Sequence, residues 1–188
     1  MTQLSHYFIA IPLDKDVQQS LAAIQNELKK EELLSYKLWP DFRDLHITVK
    51  FLGPVAENTI KKIGKNLEFL SDESTFQLTI GGLGTFGNPN KPRVLWAGVE
   101  KEPTLLKLYN SVEQIASDQG MVKENRSFNP HITLAKKWNG ETLAQSQWNA
   151  ISDSHCSTLT MYVKSLVIYQ IHPSRTPKYE IIKEVLLK

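Results

Sequence analysis

The sequence predicts a bilobal α+β fold in which two similar sheet-and-helix lobes face each other across a central cleft. Three observations predict it. A His-Ile-Thr triplet occurs twice, at His46 to Thr48 and at His131 to Thr133, 85 positions apart. An apolar stripe at helical spacing precedes each triplet: Val17, Leu21, Ile24 and Leu28 in the first half, and Leu105, Leu108, Val112 and Ile115 in the second. The order strand, helix, His-containing strand, helix, strand then runs through both halves, as expected of a duplication. A shift of 85 sets Phe8 against Arg93, Leu28 against Glu113 and Phe76 against Met161, with poor residue identity but matching order.

In chain order, Tyr7 to Ile11 is an apolar strand stopped by Pro12, and Asp14 is placed to cap the helix that follows. Pro40 to Asp44 connects into the strand Leu45 to Leu52, which Gly53-Pro54 ends. A more polar helix covers Glu57 to Leu70, with Ile60, Ile63 and Leu67 inward. After a strand at Phe76 to Ile80, the glycine-rich run Gly81 to Gly87 reads as a connection. It lacks the lysine and hydroxyl ending of an ATP-type loop and the spacing of a dinucleotide loop. Turn chemistry at Asn88 to Pro92 makes a hairpin or wide loop before a strand at Arg93 to Val99. The strand His131 to Lys136, a short helix within Gly140 to Ile151, a strand at Leu159 to Gln170 and a returning strand at Tyr179 to Leu187 complete the expectation of one bilobal unit over residues 1–188.

Composition narrows the function. A formal net charge of +2 is too balanced for strong nonspecific nucleic-acid binding, although a local basic cluster suits a small anion or an RNA end. The single cysteine, Cys156, excludes an intrachain disulfide and is expected to fill space. The first residues show neither a basic leader nor a long apolar run, so a cytoplasmic, monomeric protein away from membranes is the expectation. Trp39, Trp96, Trp138 and Trp148 are core or rim candidates, any of which has a face for a base to stack on.

The chemistry lies in the repeated triplet. On a strand, residues two apart share a face, so His46 with Thr48 and His131 with Thr133 each form a polar pair while the intervening isoleucine points into the core. A lone pair of this kind is ordinary strand chemistry; two in corresponding halves point to a shared site. Imidazole titrates near neutrality, so one ring can take a proton while the other donates one, and each threonine hydroxyl can hold a phosphate oxygen. Such a site suits phosphoryl transfer by acid and base catalysis without a metal, and His6, His155 and His172 add no recognisable ligand cluster. Ser127 near His131 lacks a nucleophile elbow, which leaves water as the nucleophile. Asp41 and Asp44 precede His46 as candidates for a turn or for orienting it. Arg126 and Arg93 are the cationic candidates for the phosphate. Lys50 shares the strand parity of His46, whereas Lys136 has the opposite parity from His131.

These residues and their flanks resemble the 2H phosphoesterase superfamily, and within it the RNA 2',3'-cyclic phosphodiesterases formerly described as 2'-5' RNA ligases. The resemblance rests on Phe8-Ile9-Ala10-Ile11, on Leu45-His46-Ile47-Thr48-Val49-Lys50-Phe51-Leu52-Gly53, on Pro92-Arg93-Val94-Leu95-Trp96 and on Arg126-Ser127-Phe128-Asn129-Pro130-His131-Ile132-Thr133-Leu134. It implies antiparallel sheets in both lobes, His46, Thr48, His131 and Thr133 as the catalytic quartet, and Arg126 as a phosphate contact. It places Tyr169 and Tyr179 near the closing strands, with Ile171 to Arg175 departing from the pattern. The implied reaction opens a terminal RNA 2',3'-cyclic phosphate to a 2'-phosphate, with His131 as base and His46 as acid, and the same opening with an RNA hydroxyl in place of water joins RNA ends through a 2'-5' bond. Small cyclic nucleotides or ADP-ribose derivatives are the alternative substrates. An RNA-end-binding module without turnover, or an interaction scaffold, is the alternative class.

Overall fold

The computed structural model describes residues 4–188, so for Met1 to Gln3 the reading of the N-terminus lies outside the described residues. Strand β1 (His6–Pro12) leads into helix α1 (Lys15–Leu28), then β2 (Tyr36–Leu38), a 3-10 turn at Phe42–Asp44, β3 (His46–Pro54) and α2 (Glu57–Leu67). There follow β4 (Phe76–Asn88), β5 (Lys91–Val99), α3 (Pro103–Asp118), β6 (His131–Trp138), α4 (Gln145–Ser154), β7 (Thr158–Val163), β8 (Ser165–Ile171) and β9 (Tyr179–Leu186). Among the described residues no helix is long and apolar enough to cross a membrane.

The strands form antiparallel ladders in the order β7-β4-β5-β6-β3-β1-β8-β9, with β2 beside β6. One lobe holds β3, β1, β8 and β9; the other holds β6, β5, β4 and β7. They meet at the pairing of Ile47 with Ile132, the middle residues of the two triplets. Both isoleucines are fully buried, as are Ile9, Ile11, Leu95 and Leu134, and each such side chain withdrawn from water stabilises the fold by about 1.5–3 kcal/mol.

Several expectations change. The glycine-rich run is strand: β4 continues through Gly81 to Gly87 and pairs with β5, and only Pro89-Asn90 turns. Close approach explains the glycines. A Cβ on Gly84 would lie 2.1 Å from the Trp96 ring, and one on Gly98 would lie 2.7 Å from the Gly81 carbonyl oxygen. The strand expected over Leu159 to Gln170 is two strands interrupted at Lys164, and they lie in opposite lobes. Strands β4 and β7, expected as equivalents, pair with each other, Leu78 facing Met161. Asp14 sits at the N-cap of α1 without a side-chain capping bond, its carboxylate turned to Lys164 at 3.3 Å. Cys156 is exposed and fills no core space.

The helices exchange places. Helix α1 leaves the first lobe's β1 but packs on the second lobe, where the buried Gln25 side chain donates to the Leu134 carbonyl of β6 at 2.9 Å. Helix α3 leaves the second lobe's β5 and packs on β3 of the first, joined by the buried pair Lys50 and Glu113. Each sheet is therefore covered in part by a helix that the other lobe supplies.

Candidate active site

Beside the isoleucine seam, β3 and β6 turn their polar faces into one cavity of about 130 Å³. His46, Thr48, His131 and Thr133 all line it, with Phe8, Phe51, Asp44, Lys136 and Tyr179. A larger groove of about 550 Å³ lies between α2 and the β8 and β9 strands, lined by Lys61, Lys65 and Lys183 and away from both triplets. The smaller cavity is the candidate site because it brings together two imidazoles, the side chains that exchange protons near neutral pH.

The two histidines are held alike. His46 donates from Nδ1 to the carbonyl of Asp44 at 2.7 Å, and His131 donates from Nδ1 to the carbonyl of Asn129 at 2.8 Å. Each acceptor stands two residues before its histidine. A carbonyl only accepts, so the neutral rings carry their proton on Nδ1 and keep Nε2 as the basic nitrogen. Nε2 of His46 accepts from the Thr48 hydroxyl at 3.0 Å. Burial pushes His46 down to about 4, the Asp44 carbonyl opposing and the charges of Lys136 and His131 adding to the fall. Burial also lowers His131, again against its carbonyl partner and with the help of Lys136. Both rings therefore stand neutral at pH 7 in the ligand-free protein.

Aromatic rings wall both imidazoles. Phe8 lies 4.6 Å from His46, with Tyr179 edge-on at 5.2 Å and Tyr169 at 5.8 Å; Phe86 meets His131 edge-on at 4.8 Å and Trp96 lies at 6.0 Å. Burial raises the phenols, Tyr169 to about 12 and Tyr179 in the same direction, so both keep their protons. Asp44 does more than carry a carbonyl. Its buried carboxylate accepts from the backbone N–H groups of Lys178 and Tyr179 at 2.9 and 3.2 Å, fixing the start of β9 against His46.

Strand parity misplaces both lysines, for one reason. In β3 the register slips between Thr48 and Lys50, leaving Val49 as an extra residue opposite β1. In β6 it slips between Thr133 and Ala135, leaving Leu134 extra opposite β5. A bulge of one residue reverses the alternation beyond it. Lys50 is thereby turned into the core and Phe51 into the cavity, while at the matching positions Ala135 is buried and Lys136 enters the cavity. Burial, and then the nearby Lys178, lower the ammonium of Lys136 from its ordinary value.

Neither expected arginine lines the cavity. The Arg126 side chain is 87% exposed and pairs with Glu124 at 3.0 Å. Arg93 is exposed and outside the cavity: the β4–β5 register steps from Phe86 facing Val94 to Gly87 facing Pro92, which leaves Arg93 as the extra residue of a bulge. Lys136 is the cationic side chain that lines the cavity instead. Among the described residues no cluster of three or more His, Cys, Asp or Glu side chains is placed to hold a metal ion.

Comparison with known proteins identifies the family of the chain. Residues 5–187 match the AKAP7 2'5' RNA ligase-like domain family. The chain is 34% identical over 176 residues to an RNA 2',3'-cyclic phosphodiesterase of Bacillus subtilis, covering 93% of this chain and 92% of that protein. It is 34% identical over 179 residues to one of Geobacillus stearothermophilus, covering 95% of this chain but only 56% of that longer relative. The fold superposes on E. coli LigT complexed with 3'-AMP with a TM-score of 0.79 at 22% identity, over 99% of both chains. TT0787 of Thermus thermophilus gives 0.74 at 20% identity over 97% of both. With the duplicated antiparallel lobes and near-full-length matches at this identity, the chain belongs to the RNA 2',3'-cyclic phosphodiesterase-like family of the 2H phosphoesterase superfamily.

Proposed function

We propose that the protein hydrolyses the terminal 2',3'-cyclic phosphate of RNA to a 2'-phosphate, using His131 as general base and His46 as general acid. The observation that carries this reading is the pair of carbonyl-locked imidazoles presenting Nε2 to one cavity that also holds two threonines and Lys136. Water gives a proton to Nε2 of His131 as its oxygen bonds to phosphorus. The P–O3' bond breaks in line, and O3' takes the proton from Nε2 of protonated His46. His46 gains that proton as the anionic phosphate arrives between the rings, which offsets the burial that otherwise keeps it neutral. Thr48 and Thr133 hold nonbridging oxygens, Lys136 offsets the charge that builds on them, and Phe51, 60% exposed at the rim, offers its ring to a base. An RNA 5'-hydroxyl in place of water follows the same course to a 2'-5' bond, without ATP.

The test is turnover of a short RNA with a terminal 2',3'-cyclic phosphate, without added metal or ATP, resolving 2'- from 3'-phosphate. The parent is expected to give the 2'-phosphate, and H46A and H131A to be slower by about 100-fold or more. A 3'-phosphate product, or either variant at parental rate, would refute the assignment. Tight RNA-end binding without turnover would identify a binding module, and turnover confined to mononucleotide cyclic phosphates would identify the small-substrate enzyme.

A further inference from the structure

The connection from α3 to β6, residues 119–130, has no regular secondary structure, yet it carries the carbonyl that orients His131. Its anchorage comes from the other lobe. The ammonium of Lys50, one residue past the β3 bulge, lies 2.9 Å from the Glu113 carboxylate on α3, with the two side chains 7% and 9% exposed. Lys50 also donates to the Val122 carbonyl at 2.7 Å, and Glu113 accepts from the Glu124 N–H at 3.2 Å. Further along, Phe128 stacks on Tyr109 of α3 at 4.1 Å, and Asn129 then accepts from His131.

We propose that Lys50 and Glu113 are positioning residues for the reaction above: they fasten residues 122–129 to β3, so that the strand carrying His46 also sets the orientation of His131. This rests on the hydrolase reading. Stability alone gives no reason for the pair, because a buried ion pair replaced by apolar side chains of similar volume is often neutral or stabilising. What apolar side chains cannot replace is the hydrogen bonds to Val122 and Glu124, which fix a segment that has no ladder of its own. Pro130, whose carbonyl accepts from Val99 at 3.3 Å, is the segment's remaining tie to β5 before β6 begins.

The test is the double variant K50M/E113L, which leaves no unpaired charge in the core. It is expected to unfold cooperatively like the parent, to exchange the amides of residues 122–129 at least about tenfold faster and to lose about tenfold in kcat with KM within about twofold. In the ligand-free protein, His131, which faces His46 and Lys136, should titrate lower by NMR, since it loses part of its hold on the Asn129 carbonyl. A folded variant with parental exchange, titration and kcat would overturn the proposal. If it does not fold, K50M/E113Q, which keeps an acceptor for the Glu124 N–H, is read in the same way, and failure of both to fold would show that the pair serves stability instead. Exchange and titration need no substrate, so they decide the positioning role even if the parent turns over no cyclic phosphate.

Discussion

At the scale of single residues, the site is set by what its nitrogens are allowed to do. The Asp44 and Asn129 carbonyls each leave Nε2 of their histidine as the basic nitrogen, and burial keeps both rings uncharged in the ligand-free protein. This links protonation to stability. The folded-state value of His46, about 4, lies below the ordinary imidazole value of 6.5, so its contribution is fully present above pH 6.5. It is lost as pH falls through the window between those values, where the unfolded chain binds the proton first. Denaturant titrations of the ligand-free protein should show this loss, and H46Q should flatten it. Phosphate or 2'-AMP should raise the His46 titration, visible by NMR. For Lys136, K136M is expected to lower kcat by about 10- to 100-fold, with K136R retaining most of it; parental kcat in K136M would remove the lysine from the reaction.

At the scale of elements, the matched bulges decide which side chains reach the cleft. Alternation holds from His46 to Thr48 and from His131 to Thr133, so the quartet was legible as two polar faces. It fails one residue beyond each threonine, where nothing in Val49 or Leu134 announces the extra residue. Hence strand parity alone puts both Lys50 and Lys136 on the wrong face. The glycine run misled for a related reason: its residues read as turn formers, whereas Gly84 is small because the Trp96 ring covers it. G84A tests this. The added carbon has no room beside the indole, so a loss of about 1–3 kcal/mol in denaturant unfolding is expected, with altered tryptophan fluorescence. The helices were legible from their stripes, since α1 and α3 bury the spaced residues Val17, Leu21 and Leu28, and Leu105, Leu108 and Val112. Which lobe each helix covers was not, because periodicity identifies an apolar face and not the surface it meets.

At the scale of the whole molecule, the halves of the sequence are not the lobes of the structure. Strand β4 from the first half lies in the second lobe, while β8 and β9 from the second half complete the first. Cutting the backbone between Pro89 and Asn90, at the tip of the β4–β5 hairpin, should therefore release neither half. The two fragments are expected to co-elute in native size-exclusion chromatography and to separate only in denaturant; separation in native buffer would contradict the interleaving. The crossed helices also have a mechanical consequence. Swinging the lobes apart about the isoleucine seam would pull the Gln25 amide from the Leu134 carbonyl and Lys50 from Glu113. The gap between the histidines is thus fixed as the chain folds, like a jaw wired at both corners, and the substrate of the proposed reaction would have to thread into a space already at its working width.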